Sequence, residues 1–256
     1  MKQKLVILMG PTAVGKTAVS IELAKNLNGE IISSDSMQIY KYMDIGTAKV
    51  TKKEMQNIPH HMIDIVYPNE SFTVSNYKQF AMQHIDRVNS KGKLPIVVGG
   101  TGLYINSLTY KLNFASVAPD ESIRNNLEEL GNKYGNEYLH NSLMKIDKES
   151  GDRISTKDRK RIIRALEIYD VTGKTMSEYN RDFRIENDDF KLSMVCLNMD
   201  REKLYNRINQ RVDIMIEQGL IDEVKDLLNM GYDKKLTSLQ GIGYKEIIMY
   251  LDNLCT

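Results

Sequence analysis

Tryptophan is absent from this 256-residue chain, and cysteine occurs only twice, as Cys196 and Cys255. One cysteine lies in an apolar run and the other is the penultimate residue, so they provide neither a disulfide framework nor metal-site spacing. Five prolines and 16 glycines are too few for a fibrous or disordered chain. The composition therefore predicts a globular protein of a reducing compartment, long enough to bury a substantial core.

Long apolar runs are also missing. No stretch approaches the roughly 18 apolar residues of a membrane-spanning helix, and the N-terminus lacks the pattern of a cleaved signal peptide. We therefore expect a cytoplasmic protein with no membrane partner. The 35 basic and 34 acidic residues leave a net charge of only +1, so any affinity for nucleic acid must come from local clusters of Lys and Arg.

The order of the apolar segments predicts an α/β fold with a parallel sheet. Short apolar runs typical of buried strands lie at residues 5–9, 30–34, 62–66, 95–98 and 192–197. Helical patterns lie between most of them, as in sheets of parallel strands flanked by helices. Strand patterns are missing in the charged stretch between the fourth and fifth runs. We therefore predict a core domain of residues 1–117 and 188–256, with a mainly helical insertion domain at 118–187.

A phosphate-binding loop follows the first predicted strand and opens a helix. It matches the G-x-x-x-x-G-K-[ST] pattern with Gly10, Pro11, Thr12, Ala13, Val14, Gly15, Lys16 and Thr17. The glycines let backbone N–H groups surround an anion, Lys16 adds a mobile charge, and the Thr17 hydroxyl is a ligand for Mg²⁺. The fold class is therefore predicted to be P-loop NTPase-like, with Mg²⁺ as cofactor. The loop alone does not distinguish ATP from another nucleotide or a prenyl diphosphate.

A second Mg²⁺ motif, an apolar strand ending in Asp, is poorly matched. Residues 31–34 reach Asp35 through two serines, and the strand at 95–98 runs into Gly99-Gly100-Thr101-Gly102. This glycine-rich end fits either the close approach of a diphosphate or a tight turn into the next helix. The pattern disfavours a small-molecule kinase.

Several further motifs follow one another along nearly the whole chain. They are Asp35-Ser36-Met37-Gln38-Ile39-Tyr40, Met43-Asp44-Ile45-Gly46-Thr47-Ala48-Lys49, Pro59-His60-His61-Met62-Ile63-Asp64, Gly99-Gly100-Thr101-Gly102-Leu103-Tyr104 and Gly241-Ile242-Gly243-Tyr244-Lys245-Glu246. Together with the phosphate-binding loop they resemble the tRNA dimethylallyltransferase family. The resemblance implies transfer of a dimethylallyl group from dimethylallyl diphosphate to N6 of adenine 37, in the anticodon loop of tRNAs that read codons beginning with U.

The resemblance also implies roles for individual residues. Asp35 would contact the target adenine, whose weakly nucleophilic amine needs a proton acceptor, and Thr101 would bind an oxygen of the diphosphate. Without the resemblance, Asp35 fits a helix N-cap equally well. The residues that the resemblance places at the tRNA are Asp35, Ser36, Met37, Gln38, Thr101, Arg124, Lys160, Arg161, Ile162, Ile163 and Arg164.

A basic segment in the predicted insertion supplies a candidate RNA platform, which a flipped-out adenine requires. Residues 157–164 carry five cations, and Lys157, Arg161 and Arg164 share one predicted helical stripe. Such a stripe either follows phosphates or is an ordinary solvated face, and the resemblance favours tRNA. Lys160 departs from the family pattern, which has Gln at this position.

Two further groups of polar residues have alternative interpretations. Arg207 and Arg211 either face phosphates or pair with Asp213 or Glu217. The His60-His61 pair has no additional ligand at metal spacing, so we predict no zinc site.

Three other functions stay open beside tRNA dimethylallylation. They are an adenylate isopentenyltransferase acting on free AMP, ADP or ATP, a small-molecule kinase and a non-catalytic RNA-binding module. The family pattern continues into a basic segment after Gly-Tyr-Lys-Glu, whereas this sequence stops at Thr256. We therefore expect either a short natural protein or a sequence that omits part of the RNA-binding surface. A monomer is the default oligomeric state.

Overall fold

The computed structural model of the chain describes residues 2–112, 119–181 and 185–254. Its sheet has five strands, β1 (Gln3–Met9), β2 (Gly29–Ser34), β3 (His60–His61), β4 (Leu94–Gly99) and β5 (Phe190–Cys196). All neighbouring strands are parallel, in the order β3-β2-β4-β1-β5. The predicted α/β class with a parallel sheet is confirmed.

The strand order brings three strand ends together. The chain passes from β1 to β2 and β3 and then returns, so β4 lies between β1 and β2. In a parallel sheet all carboxyl ends face the same edge, and ligands bind where the strand order reverses. The turns that follow β1, β2 and β4 therefore meet at this edge.

The third strand differs from its prediction. Residues 62–66 were expected to form it, but the strand is His60–His61, paired with Ile31 and Ile32 of β2. Met62 and Asp64 have positive φ angles of 64° and 56°, in the left-handed region that a strand does not accommodate. The prediction was therefore wrong by a few residues, because an apolar run does not reveal where the backbone turns.

The contacts between Cα atoms divide the chain into two compact units, the first of which is Met1–Leu108 with Asn187–Thr256. Its remaining elements are α1 (Lys16–Asn26), α2 (Lys52–Met55), α3 (Val74–Ser90), α4 (Gly102–Thr109), α10 (Arg201–Glu217), α11 (Leu220–Asn229), a 3-10 helix (Ser238–Gln240) and α12 (Tyr244–Leu251). Alternate residues of the sheet, including Ile32 and Val97, pack against Tyr77 and Ile85 of α3. Burial of these side chains is the main driving force for assembly of the sheet.

The second unit is Thr109–Glu186, and its described helices pack around a separate core. They are α5 (Glu121–Tyr134), α6 (Asn136–Ile146), α7 (Lys148–Arg153), α8 (Arg159–Thr172) and α9 (Met176–Tyr179). At its base, the backbone N–H of Lys111 donates to the Ile185 carbonyl at 2.8 Å. The unit therefore includes residues that precede position 118, where the insertion domain was predicted to start. The predicted boundary at 117 and 118 lies outside the described residues.

None of the helices in the described ranges combines the length and the apolar character that crossing a bilayer requires.

Candidate active site

The phosphate-binding loop connects β1 to α1 and depends on two glycines. Gly15 has a φ of 102° at the N-cap of α1, and Gly10 has a φ of 154°. A Cβ on Gly10 would lie 2.7 Å from the Leu197 carbonyl oxygen, so no other residue fits there without a shift. The first N–H groups of α1 have no side-chain cap, since the N-cap residue is glycine. The loop can therefore present its backbone donors to an anion.

Lys16 places a positive charge beside this loop. Its Nζ donates to the carbonyl oxygens of Gly10 at 2.9 Å and Pro11 at 2.8 Å. Burial lowers the pKa of the Lys16 ammonium, the negative charge of Asp35 opposes this effect, and the positive charge of Arg211 adds to it. Lys16, Asp35 and Arg211 therefore share one electrostatic environment, although they come from three different elements.

The turns after β2 and β4 are joined by hydrogen bonds. The Thr101 N–H donates to the Ser34 carbonyl oxygen at 3.2 Å, and the Ser36 N–H donates to Thr101 Oγ1 at 3.0 Å. A Cβ on Gly99 would lie 2.1 Å from the Ser34 carbonyl oxygen, and one on Gly100 would lie 3.5 Å from the Gly10 carbonyl oxygen. The glycine-rich strand end thus allows the three turns to lie close together.

Asp35 caps the turn that follows β2. One carboxylate oxygen, Oδ1, accepts from the N–H groups of Met37 at 2.9 Å and Gln38 at 3.3 Å. The turn does not continue into a helix, which excludes the N-cap alternative. Within the described part of the chain, Oδ2 accepts no hydrogen bond. Asp35 therefore has one oxygen that holds its own turn and another that can accept a proton.

Ser36, Met37 and Gln38 are half-buried in this turn. The Gln38 amide is bonded inside the protein, because its Nε2 donates to the carbonyl oxygens of Thr47 at 3.2 Å and Ala48 at 3.4 Å. Its side chain therefore supports the turn, a role that the sequence motif alone did not indicate.

Arg211 is the cation that α10 contributes to this environment. Burial lowers the pKa of its guanidinium, while the negative charges of Asp35 and Glu54 raise it. Among the described residues Arg211 forms no ion pair with Asp213 or Glu217, whereas Arg207 is exposed. Of the two interpretations offered by the sequence, pairing with Asp213 or Glu217 is not observed, and the charge of Arg211 instead lowers the pKa of Lys16 in the phosphate-binding loop.

Two buried tyrosines, Tyr77 and Tyr104, pack on each other and were not singled out by the sequence. The rings of Tyr77 and Tyr104 stack with their centroids 3.9 Å apart. Burial raises the pKa of Tyr104, and the neighbouring Tyr40, Tyr77 and Asp35 raise it further. The Gly-Thr-Gly-Leu-Tyr motif was the available signal, since α4 follows directly after Thr101 and carries Tyr104.

Thr17 fits a role as ligand to a divalent cation. It lies exposed in the first turn of α1, and its hydroxyl has no hydrogen-bond partner within the described ranges. In phosphate-binding loops of this type the Ser or Thr after the lysine holds Mg²⁺ together with substrate phosphates and water, so this hydroxyl would be one of the ligands. No cluster of three His, Cys, Asp or Glu side chains suited to a metal occurs among the residues that the structure describes.

The predicted tRNA residues of the helical unit fall into two groups. Arg124 Nε donates to the buried Glu167 carboxylate at 2.9 Å, and Arg164 Nη1 donates to it at 2.6 Å. Ile162 and Ile163 are buried in the core of this unit, so their side chains are not available to RNA. These four residues hold the unit together, and any contact of the two isoleucines with tRNA would use the backbone.

Lys160 and Arg161 form the exposed group, and the Arg161 side chain is 77% accessible. The predicted stripe through Lys157 is wrong, because α8 begins after the N-cap Asp158, which accepts from the Arg161 N–H at 3.2 Å. The Arg159 side chain is used inside the protein, because it donates hydrogen bonds to Asn136, Asn132 and the Gly131 carbonyl oxygen. Local charge density predicted the basic surface, but it did not reveal that Arg159 is bound inside the unit or that Arg161 forms an exposed ion pair with Asp158 at 3.2 Å.

The chain is similar to known proteins over most of its length. Residues 38–256 match the family model described as IPP transferase. The tRNA dimethylallyltransferase of Alkaliphilus oremlandii (strain OhILAs) is 54% identical over 252 residues, which are 98% of this chain and 80% of that protein.

Solved structures also resemble the chain. The crystal structure of the tRNA isopentenylpyrophosphate transferase from Bacillus halodurans is 47% identical with a TM-score of 0.71, and the match covers 100% of this chain and 79% of that one. A eukaryotic dimethylallyltransferase acting on tRNA is 33% identical with a TM-score of 0.84, over 98% of this chain and 64% of that one. From the family model and these relatives together, we conclude that the chain belongs to the IPP transferase family.

Proposed function

We propose that the protein transfers a dimethylallyl group from dimethylallyl diphosphate to N6 of adenine 37, in the anticodon loop of tRNAs that read codons beginning with U. The products are N6-dimethylallyladenosine and diphosphate. The observation that carries this proposal is the meeting of the phosphate-binding loop with Asp35 and Thr101 at one edge of the sheet. Prenyl transfer to an amine requires a site that binds the diphosphate and a group that accepts the proton.

Charge on the leaving group is the first problem of this reaction. As the bond between the allylic carbon and the diphosphate oxygen breaks, the loop N–H groups, Lys16 and Arg211 stabilise the developing negative charge. The Thr101 hydroxyl adds a hydrogen bond to the diphosphate. Thr17 would hold Mg²⁺, which supplies further positive charge at the phosphates.

The acceptor side uses the free oxygen of Asp35. The adenine N6 forms a bond to the allylic carbon and loses a proton to Asp35 Oδ2, which has no other partner among the described residues. The stacked, buried rings of Tyr77 and Tyr104 are proposed to limit the entry of water that would otherwise hydrolyse the donor.

The RNA must present an unstacked base to this edge. Lys160 and Arg161 are the exposed cations of α8 and are assigned to tRNA phosphates, in keeping with the predicted role of the insertion. Cytoplasmic location and a monomeric state stay predictions.

The test is a transfer assay with radiolabelled dimethylallyl diphosphate and Mg²⁺. One reaction contains an unmodified tRNA that reads codons beginning with U, and the other contains free AMP. We expect label in tRNA alone, whereas label in AMP alone would identify an adenylate isopentenyltransferase. A parallel measurement of ADP formation from ATP tests the kinase alternative, and label in neither acceptor would refute the proposal.

A further inference from the structure

The carboxylate of Glu223, on α11, accepts hydrogen bonds from successive backbone N–H groups of the loop at residues 44–48, which follows the Asp35 turn. Its Oε2 accepts from the N–H groups of Asp44 at 2.8 Å and Ile45 at 2.7 Å, and its Oε1 accepts from Gly46 at 3.1 Å. Successive N–H groups of this kind form an anion-binding concavity, and here the anion is a side chain of the same protein. The Glu223 carboxylate therefore holds a segment that lies far from it in sequence.

Tyr244 completes this arrangement from α12. Its hydroxyl donates to Glu223 Oε1 at 2.6 Å, and its side chain is almost fully buried. A Cβ on Gly46 would lie 2.5 Å from the Tyr244 ring, so the loop approaches the ring as closely as only glycine permits. Two helices thus hold the same short loop by charge and by packing.

The opposite side of the loop holds Gln38. The carbonyl oxygens of Thr47 and Ala48 accept from Gln38 Nε2 at 3.2 and 3.4 Å, while Ser33 Oγ donates to Gln38 Oε1 at 3.2 Å. These bonds fix both ends of the amide group. The orientation of Gln38 therefore depends on the position of the loop.

Gln38 is in turn part of the cap on Asp35, since its backbone N–H donates to Asp35 Oδ1 at 3.3 Å. A continuous series of contacts consequently runs from Glu223 through the loop at 44–48 and Gln38 to Asp35. The phosphate-binding loop is held by different contacts, such as the bond from the Leu197 N–H to the Met9 carbonyl oxygen at 2.8 Å.

Lys49 anchors the loop independently of Glu223. Its Nζ donates to the Tyr40 carbonyl oxygen at 2.8 Å and to Asp64 Oδ1 at 2.6 Å, and its side chain is only 6% exposed. Because this second anchor stays in place, loss of the Glu223 charge is expected to loosen the loop without unfolding the protein.

We propose that Glu223, assisted by Tyr244, is a positioning residue that sets the geometry of Asp35 toward the acceptor base. The inference rests on the proposed function, because it assigns the effect to the acceptor side of the reaction. The phosphate-binding loop and Lys16, which are proposed to supply most contacts to the donor diphosphate, are not part of this series, and the Asp35 turn reaches the donor side through the Ser36 N–H bond to Thr101. Loss of a positioning residue should therefore lower the rate of transfer to tRNA and leave donor binding unchanged. A general loss of folding would reduce both.

The decisive variant is Glu223→Gln, which keeps the shape of the side chain but turns a charged acceptor into an amide. We expect kcat for tRNA to fall by about ten- to a hundredfold, because small displacements of a reacting group cost this much. The Kd for dimethylallyl diphosphate should stay at its wild-type value. Tyr244→Phe keeps the ring against Gly46 and should change kcat in the same direction by less. The matched control is Asp226→Asn, which removes an exposed carboxylate from the same helix.

Hydrogen exchange of the backbone amides tests the geometry without any activity. Glu223→Gln should accelerate exchange at Asp44, Ile45 and Gly46 and leave the phosphate-binding loop unchanged, while Asp226→Asn should have neither effect. Unchanged exchange at these amides, or a normal kcat, would overturn the inference. Equal losses of donor binding and of kcat together with a lowered Tm would also overturn it. If the wild-type protein does not modify tRNA, the proposed function fails, and the exchange data still decide whether Glu223 holds the loop.

Discussion

The backbone N–H of Ser36 donates a 3.0 Å hydrogen bond to the Thr101 hydroxyl, which links the turn after β2 to the turn after β4. The same hydroxyl donates only a long bond of 3.4 Å to Ser36 Oγ. Its proton can therefore be redirected to a diphosphate oxygen at little cost. The Thr101 side chain thus connects the turn that carries Asp35, the proposed proton acceptor, with the proposed diphosphate site.

Asp35→Asn separates the chemical role of Asp35 from its structural role. The amide oxygen still accepts from the N–H groups of Met37 and Gln38, but the side chain no longer accepts a proton. We expect the rate of transfer to tRNA to fall by about 10² to 10⁴, the usual range for loss of a general base. Single-turnover kinetics at saturating tRNA would measure this, with donor binding as the control. A near-normal rate with intact tRNA binding would exclude Asp35 as the base.

Gly99→Ala is expected to destabilise the protein. The new Cβ would overlap the backbone of Ser34, which belongs to the adjacent strand and is unable to move aside alone. Overpacking of this kind costs about 1 to 3 kcal/mol. Urea denaturation would measure the loss in free energy of unfolding. Gly102→Ala is the control, because its Cβ meets no atom within 4 Å, and equal stability of the two variants would contradict the close approach.

Glu30 makes the stability depend on acid pH. Burial by itself raises the pKa of this carboxyl, but hydrogen bonds from Lys93, His61 and Lys91 outweigh it and lower the pKa to about 2. Because the folded-state pKa lies below the ordinary value of 4.5, the stabilisation is present above that value and is lost as the pH falls through about 2.

The corresponding variant is Glu30→Gln. It should lower the free energy of unfolding at pH 7 by up to about 3 kcal/mol and flatten the decline between pH 4.5 and 2. Urea denaturation across this range would measure both effects. Glu22→Gln serves as the control, since its ion pair with Lys25 is exposed. Parallel curves for wild type and Glu30→Gln would show that Glu30 does not titrate as described.

The exposed cations of α8 are expected to make tRNA binding depend on the salt concentration. Lys160→Ala combined with Arg161→Ala should weaken tRNA binding and reduce the slope of log K against log salt by about 2, one for each phosphate contact. Filter binding at several salt concentrations would measure the slope. Lys145→Ala with Lys148→Ala removes two exposed cations from the same unit and should leave the slope nearer to wild type. An unchanged slope in the α8 variant would exclude this helix from the RNA surface.

Local sequence signals predicted most of the sheet and failed where tertiary contacts decide. Four of the five predicted strands overlap β1, β2, β4 and β5, because buried parallel strands are short apolar runs. The third was displaced by the left-handed residues Met62 and Asp64, which no apolar pattern records. Likewise, charge density in the helical unit did not show that Arg124 and Arg164 pair with the buried Glu167.

By itself, the sequence determined the phosphate-binding loop, the α/β class and the resemblance to a prenyltransferase family, since each depends on residues that are neighbours along the chain. Only the tertiary structure decided which distant residues share the site. The return of β4 between β1 and β2 brings Lys16, Asp35 and Thr101 together. The bonds from Glu223 to the loop at 44–46 span more than 170 residues, and a contact of that separation leaves no periodic pattern in sequence. It becomes visible only when the folded chain places a carboxylate opposite the backbone donors.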